Sequence, residues 1–112
     1  MKPASPNVDL SAMIPAMWPD LIALDNLVRV IMGYELIVTS AKDGKHKART
    51  SDHYRGGAID MRTWLEANSG VQIQGEARIA LHKKIKDFLG HDWYVKNEAN
   101  HFHLSYRPIY RG

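Results

Sequence analysis

The sequence predicts an α+β fold in which a small antiparallel sheet carries its helices on one face. Three observations lead to this prediction. The 112 residues, 45% hydrophobic and 24% charged, match a single globular domain spanning 1–112. Two segments repeat apolar residues at helical spacing, and four short segments have the composition of strands. Their order along the chain is helix, strand, strand, helix, strand, strand.

The segment 1–18 is expected to be an irregular lead-in, because it contains three of the five prolines. A first helix is predicted over 20–32. Pro19 and Asp20 are typical of a helix start, and Gly33 is typical of a helix end. The apolar residues of this helix recur at steps of three and four: Leu21, Leu24, Leu27, Val28 and Ile31.

The middle of the chain predicts two strands around a long loop. The β-branched segment 35–39 is expected to be a buried strand, and 58–62 is expected to be a second strand with alternating character. Between them, 42–57 is polar, basic and glycine-rich, which indicates a functional loop.

The last part of the chain predicts a helix followed by a pair of strands. The helix covers 74–89 and ends at Gly90, and the strands cover 93–96 and 102–107. Four residues are expected to form the apolar stripe of this helix: Ala77, Leu81, Ile85 and Phe88.

Composition excludes several classes of protein. No cysteine is present, so disulfide scaffolds, thiol nucleophiles and sulfur-based zinc sites are excluded. The sequence contains no apolar run long enough for a membrane helix and no signal-peptide pattern, so we expect synthesis in the cytoplasm and no membrane insertion. A net charge of +3 and the basic run 42–49 suit an anionic partner, but no nucleic-acid motif accompanies them, and we expect no nucleic acid to bind.

Two polar clusters hold the residues suited to chemistry. In 98–103, His101 and His103 are two apart on a predicted strand, so both side chains project from one face and Phe102 points into the core. In 51–60, the adjacent glycines 56 and 57 allow a tight turn that brings His53 back towards Asp60.

Asp60 lies between two apolar residues on a half-buried strand, where a lone carboxylate is costly unless it is paired or binds a cation. One interpretation is a salt bridge, with Arg55 or Arg62 as the partner. The other is a metal site, since two histidines and one aspartate leave a fourth position open, which is typical of catalytic zinc. Glu98 would then be suited to taking a proton from water and passing it to a leaving amine.

The motifs S-x-H-x-x-G-x-A-x-D at 51–60 and E-x-x-H-x-H at 98–103 resemble those of a known family. They are similar to the zinc D-alanyl-D-alanine carboxypeptidases and L-alanyl-D-glutamate endopeptidases, which share the hedgehog/DD-peptidase fold, and more narrowly to short phage endolysin-like members. Together with Thr39 and Ser40, the matching stretches are spread over 39–107. The resemblance implies a zinc metallopeptidase that hydrolyses the peptide stems of peptidoglycan.

The resemblance also implies roles for individual residues. His53 and Asp60 fall on the first two zinc ligands, and Glu98 falls on the catalytic glutamate. The third ligand is His101 if the E-x-x-H pattern applies and His103 if the H-x-H pattern applies. We favour His103, which leaves His101 to polarise the water or stabilise the oxyanion.

Two further residues are candidates for binding substrate. Arg49 lies in the loop where family members often place a cation against a substrate carboxylate, and Ser51 is suited to a hydrogen bond with substrate. Each has an equally good alternative, a solvated basic loop for Arg49 and a turn cap for Ser51.

The sequence leaves several functional alternatives open. The bond cleaved is either D-Ala-D-Ala or L-Ala-D-Glu, and the enzyme is either a free cell-wall lytic enzyme or part of a phage particle. A monomer is expected, although the sequence does not fix the oligomeric state. The alternative to an enzyme is a zinc-stabilised binding or virion structural module of the same fold.

Overall fold

A five-stranded sheet forms the centre of the computed structural model, which describes residues 1–41 and 57–108. The order across the sheet is β1-β2-β3-β5-β4. Its strands are β1 (Lys2–Pro3), β2 (Ile37–Ser40), β3 (Ala58–Arg62), β4 (Trp93–Asn97) and β5 (His101–Tyr106). With its two helices the sheet forms an α+β domain, as the sequence predicts.

The sheet is mixed, because β1 runs parallel to β2 while the other pairs are antiparallel. The expectation of an antiparallel sheet is therefore wrong at this edge. The lead-in returns alongside β2 and bonds to it through the amides of Lys2 and Ala4, which donate to the carbonyl oxygens of Leu36 and Val38 at 3.0 and 2.8 Å.

Two helices of equal length accompany the sheet, α1 (Trp18–Met32) and α2 (Gly75–Leu89). Helix α1 begins two residues before the predicted start, because Pro19 is accommodated in its first turn. It ends where predicted, at Gly33, which has a left-handed φ of 81°. None of the described helices is long and apolar enough to span a membrane.

The core lies on one face of the sheet, where both helices contribute to a single apolar cluster. Burial of this apolar surface is the main force that holds the elements together. The strands supply Val38, Ile59, Met61, Trp93, Val95, Phe102 and Leu104, and the helices supply Leu21, Leu24, Val28, Leu81 and Ile85. The same cluster includes Val8, Met13 and Met17, so the lead-in is part of the core.

The lead-in is also held by charge at its first residue. The amino group of Met1 lies 2.9 Å from Oδ1 of Asp25, a residue of α1 that is 9% exposed. Asp25 also accepts a hydrogen bond from the amide of Leu36 and one from Nε of Arg29. Burial favours a higher pKa for Asp25, but these hydrogen bonds and the amino group outweigh it and lower the pKa.

The apolar stripe predicted for α2 is partly wrong. Leu81 and Ile85 face the core as expected, but Ala77 and Phe88 are exposed. The place of Ala77 is taken by Arg78, which is only 6% exposed. A long arginine side chain can bury its methylene stem against apolar neighbours while its guanidinium reaches polar groups at the edge of the core.

Candidate functional site

Strands β3 and β5 place the candidate site on the face of the sheet opposite the core. In their antiparallel register Asp60 lies directly opposite His103, and Arg62 lies directly opposite His101. The residues between them on β5 and β3, such as Phe102, are fully buried on the other face. The predicted common face of the two histidines, with Phe102 in the core, is therefore what the structure shows.

The carboxylate of Asp60 lies between the two imidazoles. Its Oδ1 is 3.1 Å from Nδ1 of His103, and its Oδ2 is 3.5 Å from Nε2 of His101. The three side chains are 16–27% exposed, so the cluster is half-buried and open to solvent on one side. Carboxylate oxygen and imidazole nitrogen are ligand types that a metal cation such as zinc binds.

The other ring nitrogen of His101, Nδ1, also has a polar partner. Nδ1 of His101 is within hydrogen-bonding distance of the side-chain oxygen of Asn100, so it serves as a donor there. In the neutral ring Nε2 then carries a lone pair, and this lone pair faces the carboxylate of Asp60. Two lone pairs that face each other in this way suit a metal ion between them.

Glu98 follows directly after β4, in the short connection to β5. Its amide donates to the carbonyl oxygen of His101 at 3.0 Å, which closes the turn. Its carboxylate lies 3.0 Å from Nζ of Lys96, and Lys96 pairs with His103 across the two strands. Residues directly opposite each other share a face, so Lys96 lies on the face that carries the histidines.

The Lys96–Glu98 ion pair is a feature that the sequence analysis did not identify. The hydrogen bond with Glu98 is the largest of the effects that raise the pKa of Lys96 above its ordinary value. Lys96 is thus a fixed positive charge beside the candidate general base.

Arg78 holds the turn that carries Glu98 and His101. Its guanidinium donates to the side-chain oxygen of Asn97 at 2.8 Å and to the carbonyl oxygens of Glu98 and His101. On the other side it donates to the hydroxyl of Thr63 at 2.9 Å. This role was not predicted from the sequence, although Arg78 shares a helix face with Leu81 and Ile85. A cation on an apolar stripe indicates a buried polar network.

His82 lies on α2, next to the buried residue Leu81. It is half-buried, its Nε2 lies 2.8 Å from the carbonyl oxygen of Val95, and its ring packs edge-on against Phe102 at 5.5 Å between centroids. Its place on the core side of the sheet separates it from the cluster around Asp60. His82 is therefore a structural residue that joins α2 to β4.

A cavity of about 310 Å³ opens beside His101, and Arg62 and Trp64 form one of its walls. Cζ of Arg62 lies 3.8 Å above the centre of the Trp64 ring, which fixes the guanidinium against that wall. The other described residues that line the cavity are Thr39, Gln72 and Asn100.

Three of the predicted site residues, Arg49, Ser51 and His53, lie outside the described residues, together with nearly all of the predicted loop 42–57. The structure brings Asp60, His101 and His103 into one cluster, and it places Glu98 on the adjoining turn.

The chemistry of this cluster fits zinc, which binds imidazole nitrogen and carboxylate oxygen. Within 1–41 and 57–108, no three histidine, aspartate or glutamate side chains already form a set arranged to hold a metal ion. The predicted set includes His53 as a further ligand. Asp60 and His103 are the two described residues that would join it.

Comparisons of this chain with protein-family models, with curated proteins and with solved structures found no match. The function of the chain is therefore inferred from the residues of the site.

Proposed function

We propose that this protein is a zinc-dependent peptidase that cleaves the stem peptides of peptidoglycan. The observation that carries the proposal is the Asp60 carboxylate held between two histidines, on an open face of the sheet, with Glu98 on the adjoining turn. The resemblance of the segments 51–60 and 98–103 to zinc peptidases of the cell wall supplies the substrate class.

In this proposal the metal is held by His53, Asp60 and His103. Zinc bound there supplies a Lewis acid that polarises the scissile carbonyl and makes water a stronger acid. His101 is the alternative third ligand, because its Nε2 also faces Asp60. A structural zinc site is usually closed by four protein ligands, whereas three ligands leave a position open to substrate.

Glu98 acts as the general base, taking a proton from water and passing it to the leaving amine. Its carboxylate lies 3.0 Å from Nζ of Lys96, a residue that pairs with His103 across the two strands. If His103 is the ligand, His101 stands beside the water and helps to polarise it or to stabilise the oxyanion that develops on the scissile carbonyl.

The context implied by the resemblance is lysis of the bacterial wall, by an endolysin-like enzyme of phage or bacterial origin. The cleaved bond is D-Ala-D-Ala for a carboxypeptidase and L-Ala-D-Glu for an endopeptidase. Digestion of purified peptidoglycan with zinc-loaded protein, followed by mass spectrometry of the products, distinguishes the two. Absence of any product from bacterial walls would contradict the proposal.

One observation favours a second candidate, a zinc-stabilised binding module without activity. Glu98 is already engaged by Lys96 at 3.0 Å, and a glutamate with a purely structural role would make the same contact. A module of this kind would bind zinc tightly and bind wall peptides without releasing fragments.

Replacing Glu98 separates the two candidates. In the enzyme, Glu98→Gln preserves the shape of the side chain but cannot accept the proton, so the rate of hydrolysis should fall by about 10²–10⁴-fold. The zinc content should stay near that of the wild type, because the proposed ligands are unchanged. Glu76→Gln, on the exposed first turn of α2, is the matched control and should leave both quantities unchanged. Hydrolysis that survives Glu98→Gln at full rate would remove Glu98 from the mechanism.

A further inference from the structure

The cavity beside His101 has the composition of a site for an anion. Among the described residues that line it, Arg62 carries a positive charge and none is an aspartate or glutamate. Trp64 adds an apolar surface. A volume of about 310 Å³ suits one amino-acid residue of a peptide.

Arg62 is held in place but is largely unused as a donor. Within the described residues its guanidinium makes one hydrogen bond, from Nη1 to the carbonyl oxygen of Ala67 at 3.0 Å, and its Nε is buried without a partner. The ring of Trp64 supports it from below at 3.8 Å. A guanidinium has five N–H donors in a planar fork, so a rigid Arg62 can still offer a carboxylate two parallel hydrogen bonds.

The register of the sheet connects this cavity to the proposed chemistry. Arg62 lies directly opposite His101, and Asp60, two residues before Arg62, lies opposite His103. On this face of the sheet, the pair Arg62–His101 is therefore the next one after Asp60–His103. A peptide whose scissile bond lies at that pair would place a neighbouring residue in the cavity.

We propose that this cavity binds a carboxylate-bearing residue next to the scissile bond, with Arg62 as its counter-ion. The inference rests on the proposed peptidase function for the position of the bond, but the cavity and its charge exist without it. Stem peptides offer two such groups, a C-terminal carboxylate and the free carboxylate of an internal γ-linked D-glutamate.

The test compares acid and amide forms of one peptide. The probes are the synthetic pentapeptide L-Ala-γ-D-Glu-L-Lys-D-Ala-D-Ala, its C-terminal amide, and the form in which D-glutamate is replaced by D-isoglutamine. Binding is followed by the NMR shift of the Trp64 indole, and hydrolysis by mass spectrometry. Since a bidentate ion pair is worth about 10–100-fold in affinity, the wild type should bind the acid form that much more tightly than one of the two amides.

Substitution of Arg62 should remove this preference and leave the binding of the amide unchanged. Arg62→Gln abolishes it, and Arg62→Lys retains part of it, because lysine keeps the charge but not the fork. Lys84→Gln, on the exposed surface of α2, is the control and should keep the full preference. Loss of the preference specific to Arg62 is a result that general damage to the fold would not produce.

The amide that loses affinity identifies the carboxylate, and equal affinity of the wild type for all three peptides would overturn the proposal. This result needs no variant, so it holds even if Arg62→Gln folds poorly. Selective binding without hydrolysis would refute the peptidase function and leave the carboxylate site standing. Hydrolysis without a preference for the acid form would support the peptidase function and refute the carboxylate site.

Discussion

Replacing Arg78 by methionine tests how the turn between β4 and β5 is held. Arg78 is 6% exposed, and its guanidinium donates to the side chains of Thr63 and Asn97 and to the carbonyl oxygens of Ile73 and Glu98. Methionine keeps the apolar stem and removes every donor. The loss of stability should therefore reflect the missing hydrogen bonds and not a cavity in the core.

The size of this loss of stability depends on which of the acceptors water can reach. Asn97 is exposed and Glu98 is half-buried, so water can replace much of what they lose. Thr63 is fully buried and, within the described residues, keeps only its hydrogen bond to Gln72, and Ile73 is half-buried. Loss of the guanidinium partner at each of these buried acceptors costs about 1–3 kcal/mol. Burial lowers the pKa of Arg78, so removing its charge offsets part of this cost. We expect the free energy of unfolding to fall by about 2–4 kcal/mol.

Urea unfolding measures this loss. With an m-value of about 2 kcal/mol per molar, the midpoint should fall by about 1–2 M while the m-value stays unchanged. Lys84→Met, an exposed cation on the same helix, is the control and should change the free energy of unfolding by less than about 0.5 kcal/mol. A loss below about 1 kcal/mol for Arg78→Met would show that water replaces the guanidinium and that it does not hold the turn.

Three other predictions concern metal, acid and base. Zinc per chain, measured by elemental analysis, should fall to near zero in His103→Ala and stay near one in His101→Ala; the opposite result would make His101 the ligand. Because the folded state lowers the pKa of Asp25, its stabilisation is present above the unfolded pKa of about 3.9 and is lost as the pH falls through the folded value. Asp25→Asn should therefore cost about 1–3 kcal/mol at pH 7 in urea unfolding, and a cost that persists at pH 2 would contradict this account. Burial raises the pKa of Tyr34 to about 12, so an absorbance titration should lose one late-ionising tyrosine in Tyr34→Phe, and an unchanged titration would refute it.

Local signals predicted most of the secondary structure. The strand over 58–62 has the predicted bounds, and both helices end at the predicted glycines, Gly33 and Gly90. These features depend on residues close in the chain, such as β-branched runs and helix stops. The face shared by His101 and His103 could be predicted for the same reason, since alternation is a property of one strand.

Long-range contacts account for what the sequence did not predict. The parallel pairing of β1 depends on a chain segment about 35 residues away, and no local pattern indicates it. Arg78 occupies an apolar stripe because its acceptors come from Thr63 and from the turn at 97–101, which are brought together only in the folded chain. The same holds for the cavity at Arg62, whose wall needs Trp64 beneath the guanidinium.

The alternation of residues along β3 and β5 has a consequence for how such a protein changes during evolution. Alternate residues of the same two strands belong to the core and to the outer face, as Met61 and Phe102 do on one side and Asp60 and His103 on the other. Selection can therefore exchange the outer set for a new ligand while the interior keeps its shape. The same alternation makes a shifted pairing of the strands unstable. A slip of one residue would place Asp60 and His103 in the apolar interior and leave the chain unfolded. Every molecule that folds thus presents its outer set in the same register.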